Sequence, residues 1–249
     1  MEIKTIEEFE GHCEKHGPYI GKRRLFFGKE VTTLCPQCTQ ENIQEQKRAR
    51  EEAQRMELRG YCIDQSNIPP RFREKTLEMF IATTHDQKKA FDTVADYLAN
   101  WEAHRRSGEG LVFLGQPGTG KTHLAAAIGI ELCNRGQNVL YQKTADIMRR
   151  IKETYSRDAK ETENGVYKEL LSYDLLIIDE IGRQSGTEAE KLMLFEIING
   201  RYEYCKPLIL ISNGTFEDLK QYITEAGFDR LKEIGKSVIF TSESMRGRI

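Results

Sequence analysis

Residues 115–122 read Gly-Gln-Pro-Gly-Thr-Gly-Lys-Thr, and the spacing G-x-x-x-x-G-K-[ST] dictates what must surround it. Such a loop works where a buried strand hands the chain to the first turn of a helix. Its glycines let the backbone wrap a phosphate chain with N–H groups turned inward, Lys121 reaches the β- and γ-phosphates, and the Thr122 hydroxyl can ligate Mg²⁺. The flanks agree. Leu111-Val112-Phe113-Leu114 is a short apolar run ending at Gly115, and His123-Leu124-Ala125-Ala126-Ala127-Ile128 is helix-forming sequence. The anion then meets a helix N-terminus. Gly115, Pro117, Gly118, Thr119, Gly120, Lys121, Thr122 and His123 form the expected nucleotide-binding segment.

From residue 111 onward apolar runs alternate with helical stretches. The expected strands are 111–114, 139–141, 174–179, 208–211 and 237–240, with helices after 122, over a 145–157 insert, from about 187 to 204, and after 213. Continuous apolar strands between amphipathic helices predict an α/β fold, a P-loop NTPase with a parallel sheet covered on both faces. Before this core, residues 41–59 carry five acidic and five basic side chains without Gly or Pro, the pattern of a solvated helix that Gly60 should end. Pro69-Pro70 leads into the main domain. The expected division is 1–40, 41–67 and 68–249.

A second motif narrows the chemistry. Leu175-Leu176-Ile177-Ile178 ends in Asp179-Glu180, which places Asp179 to hold a magnesium shell and Glu180 to polarise an attacking water. Asn213, at the tip of the next strand, suits a γ-phosphate sensor; Asn213-Gly214 is equally a turn pair. Arg230 and Arg246 are positioned late in the chain, where either could offset phosphate charge or stand as a solvated surface arginine.

The chain of 249 residues has a net charge of −2, 31% charged and 39% hydrophobic residues, so attraction to nucleic acid must be local. There is no bilayer-length apolar run, and the acidic N-terminus is unlike a secretory signal, which points to the cytoplasm and to no membrane partner. Of six cysteines, Cys62, Cys133 and Cys205 are isolated and read as inert thiols. Cys13-x-x-His16 and Cys35-x-x-Cys38 are paired ligands with the spacing of a structural Zn²⁺ site, although His12 beside Cys13 competes with His16. So short a region lacks its own apolar core, and metal would supply its folding energy. Lys22-Arg23-Arg24-Leu25-Phe26-Phe27 between the ligand pairs mixes basic and aromatic residues, as a nucleic-acid or protein surface would.

Gly115–Thr122 with its His123–Gly129 flank, Asp146-Ile147-Met148-Arg149 with Thr154-Tyr155, and Asp174-Leu175-Leu176-Ile177-Ile178-Asp179-Glu180-Ile181-Gly182 resemble the DnaC-type replicative helicase loaders. These are AAA+ ATPases of the initiator group, with phage and prophage relatives and the IstB-type transposition ATPases close by. The resemblance covers about residues 68–249. It implies ATP and Mg²⁺ at Lys121 and Thr122, Walker B roles for Asp179 and Glu180, sensor 1 at Asn213, an arginine finger at Arg230 and sensor 2 at Arg246. A finger acts on a neighbour's nucleotide, so ATP-dependent self-association is implied. Gly227-Phe228-Asp229-Arg230 departs from the family's longer Gly-Glu-Arg-x-x-Asp-Arg segment. Only 36 residues follow Asn213, in line with a build that lacks the full helical lid.

The resemblance also gives residues 145–157 the place of the initiator insert. Their four basic residues and Tyr155 would hold single-stranded DNA, while Ile147, Ile151 and Tyr155 form a stripe for the core. The N-terminal region would hold a DnaB-type helicase, and zinc-bearing N-termini occur in phage-type members. The expectation is an ATPase that loads a replicative helicase onto single-stranded DNA. The rivals are an IstB-type transposition helper and a zinc-dependent adaptor that binds nucleotide with negligible turnover.

Overall fold

In a computed structural model, residues 5–26 and 29–241 are described, and the chain divides into two units, Met1–Leu58 and Arg59–Ile249. The first holds strands β1 (Thr5–Cys13), β2 (Gly17–Phe26) and β3 (Lys29–Thr32) in an antiparallel sheet of that order. Helix α1 (Pro36–Gln65) begins within the second ligand pair. Among the described residues of this unit, Cys35 is the one buried apolar side chain. The sheet therefore has almost no dry interior.

Gly60 does not end the helix. The α1 helix continues through it because Cys62 is buried and Ile63 packs on the core of the second unit, and that burial exceeds the roughly 1 kcal/mol that a helical glycine costs. Termination comes at Asn67, whose φ of 55° is left-handed.

In the second unit, α2 (His85–Ala99) and α3 (Trp101–Ser107) precede β4 (Gly110–Gly115). Then follow α4 (Lys121–Asn134), β5 (Val139–Lys143), α5 (Thr144–Glu153), α6 (Glu163–Ser172) and β6 (Leu175–Ile181). The described chain closes with α7 (Glu188–Glu203), β7 (Leu208–Ser212), α8 (Phe216–Lys220), α9 (Glu225–Ile234) and β8 (Gly235–Phe240). The five strands are parallel in the order β5-β6-β7-β4-β8.

Alternate residues of each strand enter different layers. Leu111, Phe113, Tyr141, Ile177, Ile209 and Ile211 pack with α2, α3 and α4, whereas Val112, Leu114, Leu140, Ile178 and Leu210 pack with α5, α6, α7 and α9. The unbroken apolar runs follow from this two-sided burial. Threonines at 84, 162, 187, 215 and 224 cap five of the helices by accepting a backbone N–H.

The insert differs from expectation at one residue. Ile147 and Ile151 are buried as expected, but α5 stops at Glu153, and Tyr155 lies beyond it, 60% exposed; Met148 joins the buried stripe instead. Of the isolated cysteines, Cys62 and Cys133 are buried and Cys205 is exposed, and burial pushes the Cys133 thiol up to about 12. No helix among the described residues is long and apolar enough to cross a membrane.

Candidate nucleotide site and metal cluster

The loop leaves β4 at Gly115 and enters α4 through Gly120, whose φ is 104°. A side chain there would be strained and would also meet the Phe80 ring at 2.6 Å. Lys121 is 4% exposed, and its Nζ donates to the carbonyls of Gly115 and Gln116, each at 2.7 Å. Thr119 is buried and ties the loop by donating to Gln116 O at 2.9 Å. His123 is held from outside the loop: its Nε2 donates to Thr76 O at 3.1 Å, the ring meets Phe80 edge-on, and burial holds its pKa below the usual histidine value.

The acidic pair sits where the pairing of β6 with β7 breaks register between Ile178 and Ile181. Glu180 occupies the left-handed region at φ 62°, a conformation that costs a non-glycine residue about 1–2 kcal/mol and is tolerated mainly at functional positions. The irregularity separates two neighbouring carboxylates. Asp179 is 4% exposed, and its Oδ2 accepts from Thr122 Oγ1 at 3.0 Å and from the Tyr141 hydroxyl, while its Oδ1 accepts from Glu180 N at 2.6 Å. Thr144 Oγ1 donates to Asp179 O at 2.9 Å.

Glu180 is more open, with ion pairs to Arg183 at 3.1 Å and Lys143 at 3.5 Å. Both partners are well exposed, so each pair contributes on the order of 0–1 kcal/mol and yields readily. Tyr141, Lys143, Thr144 and Arg183 had no signal in the sequence. Their relevance depends on β5 lying beside β6 and on the short turn after Ile181.

The donor set fits Mg²⁺. Thr122 and Asp179 present hard oxygens side by side at the N-terminus of α4, the ligand type this ion takes together with phosphates. When bound, the ion would neutralise phosphate charge; Lys121 and the loop N–H groups supply the remaining positive field.

Asn213 follows β7 directly and is half-buried. The next residue brings it to the loop, because Gly115 N donates to Gly214 O at 3.2 Å. Arg230 lies elsewhere. Its guanidinium stacks over the Tyr202 ring at 4.3 Å, on a helix that ends where β8 pairs with Gly110, at the opposite end of β4 from its own phosphate loop. Arg246 and Phe27 lie outside the described residues.

The basic residues of the insert are largely engaged. Arg150 grips Glu161 through Nε and Nη2, both at 2.7 Å, and also contacts Glu169, which raises its pKa. Arg149 pairs with Asp146 at 2.7 Å and Lys152 with Glu190 at 2.9 Å. Arg150 therefore pins α5 to α6. Arg149, 67% exposed, can exchange its carboxylate for another anion at little cost.

In the first unit Cys13, His16, Cys35 and Cys38 offer ligand atoms within 4.8 Å of one another. The Nδ1 of His16 lies 3.7, 3.7 and 3.2 Å from the sulfurs of Cys13, Cys35 and Cys38, and the Cys13 and Cys38 sulfurs are 3.4 Å apart. A tetrahedral site with zinc–sulfur bonds of about 2.3 Å has edges of roughly 3.5–3.8 Å, so the group fits. His16 Nε2 meets Glu41 at 3.2 Å, and Glu41 is shared with Lys15 at 2.6 Å. The cluster includes His16 and not His12.

Residues 42–249 match the family described as IstB-like ATP binding protein. The replicative helicase loader DnaC of Escherichia coli (strain K12) is 33% identical over 189 residues, 75% of each chain. Among solved structures, the DnaC helicase loader superposes with a TM-score of 0.61 at 23% identity, over 69% of this chain and 99% of that one. AMPPCP-bound DnaA from Aquifex aeolicus gives 0.58 at 28% identity, over 69% and 51%. The P-loop, the five-stranded parallel sheet and these likenesses agree: the chain belongs to the IstB-like ATP-binding family, with the AAA+ fold of the DnaC-type helicase loaders.

Proposed function

We propose that this protein is an ATPase that loads a DnaB-type replicative helicase onto single-stranded DNA in the cytoplasm. The observation that carries the catalytic half is the irregular pairing of β6 with β7, where Asp179 meets Thr122 and Glu180 takes a left-handed backbone. Lys121 and the loop bind the phosphates, Thr122 and Asp179 hold Mg²⁺, Glu180 accepts a proton from the attacking water, and Asn213 orients that water. Arg230, stacked on the Tyr202 ring, would act as a finger on a neighbouring subunit's nucleotide, so the reading includes self-association; Arg246 would complete the site. The loading half rests on family kinship with proteins named replicative helicase loaders. The zinc-bound first unit would hold the helicase ring, and the exposed side of α5 would meet DNA.

The test is a loading reaction with the full chain, ATP, circular single-stranded DNA and a DnaB-type helicase, scored by helicase retained on the circle. The proposal expects retention that requires ATP and is lost in Lys121→Ala. Because the matching family is described as IstB-like, a transposition helper is the second reading. Capture of a transposase from native cells, with no helicase retained on the circle, would favour it.

A further inference from the structure

Tyr141 has no part in the nucleotide chemistry described so far, yet its hydroxyl ends on the most constrained carboxylate of the site. The residue lies on β5 opposite Ile177 of β6, two positions before Asp179. Its side chain is 3% exposed. A buried phenol needs an acceptor, and Tyr141 finds it in Asp179 Oδ2. That same oxygen accepts from Thr122 Oγ1 at 3.0 Å. The backbone of Tyr141 is fixed as well, since its N–H donates to Ser66 O at 2.7 Å.

We propose that Tyr141 is a positioning residue for the magnesium side of the nucleotide site, acting through Asp179. A threonine hydroxyl has one proton and two lone pairs. While Thr122 gives its proton to Asp179 Oδ2, both lone pairs remain available to a cation on the phosphate side. This holds only as long as Oδ2 stays where it is. The Glu180 amide restrains the other oxygen, and the Tyr141 hydroxyl stops Oδ2 from rotating away. Phenylalanine would fill the same volume but remove the restraint. The proposal rests on the ATP and Mg²⁺ reading above.

The experiment measures binding of a fluorescent ATP analogue to the full chain as Mg²⁺ is titrated, alongside a melting curve. Tyr141→Phe is expected to raise the half-saturating Mg²⁺ concentration about tenfold, the scale of losing an outer-shell partner of a metal ligand, and to leave binding in EDTA unchanged. In an Asp179→Asn background the same substitution should have no further effect. A lower melting temperature with the wild-type Mg²⁺ midpoint would make Tyr141 a packing residue only and overturn the proposal. Should Tyr141→Phe not fold, 3-fluorotyrosine at this position keeps the shape and strengthens the donor; a shifted midpoint supports the role and an unmoved one refutes it. A wild-type chain with no response to Mg²⁺ would instead remove the magnesium reading on which the proposal stands.

Discussion

The two units of this chain reach order by different means. The second buries both faces of a five-stranded sheet, and its stability is a sum over dozens of side chains. The first has exposed strands, one buried apolar side chain among its described residues, and four soft ligands gathered in one place. Burial distributes the determinants of folding over many side chains, whereas a metal held by these four ligands would concentrate them in a few atoms. Single substitutions should therefore act very differently in the two units.

The largest separation is expected from zinc removal. Chelation, or Cys35→Ser, should unfold the first unit and leave ATP binding by the second intact, because a structural zinc contributes on the order of 10–16 kcal/mol. Circular dichroism with metal analysis checks this, and a native chain without zinc would erase the contrast.

A second perturbation concerns the exception within the burial-driven unit. Arg201 is fully buried, and it donates to the carbonyls of Leu170 at 2.7 Å, Pro207 at 2.6 Å, Tyr173 at 3.2 Å and Asp174 at 3.4 Å. It joins α7 to the starts of β6 and β7, and burial pushes its pKa down to about 9. Arg201→Met should strand several of these acceptors, destabilising this unit by about 3 kcal/mol and lowering its melting temperature by roughly 6–12 °C. Zinc content should not change.

The smallest expected effect is on acid stability. Lys152, together with N–H groups of the preceding turn, holds the Glu190 carboxyl below the usual carboxylate range. A carboxyl depressed in the folded state stabilises above its unfolded pKa, about 4.3, and that stability is lost as pH falls through the lower folded value. Glu190→Gln should flatten this part of the acid unfolding profile in the second unit. An unchanged slope would show that the pair adds nothing measurable.

The contrast between the units also explains what was legible beforehand. The alternation of strands and helices from residue 111 was readable because two-sided burial writes long apolar runs. Lys121, Thr122, Asp179 and Glu180 stood out because the loop spacing and a strand end are visible in the sequence, and the structure brings Thr122 and Asp179 within hydrogen-bond distance. The strands of the first unit were not, since Thr5–Cys13 and Gly17–Phe26 alternate charged, aromatic and glycine residues without a core to face. Gly60 misled because tertiary burial outweighed local propensity. Tyr155 misled because its spacing continued a helix that stops two residues earlier. Arg201 gave no warning, since an arginine in an amphipathic helix ordinarily faces water, and Tyr141 gave none because its partner lies on another strand.

The central claim of the proposed function is that Glu180, beside Asp179 where the pairing of β6 with β7 is irregular, would make this a hydrolytic site and not only a binding site. Single-turnover ATP hydrolysis by the full chain, with single-stranded DNA and helicase present, measures this directly when compared with Glu180→Gln. The account predicts equal nucleotide affinity and a hydrolysis rate lower by about 10²–10⁴-fold in the variant, the usual worth of a general base. Equal rates in the two proteins would contradict it.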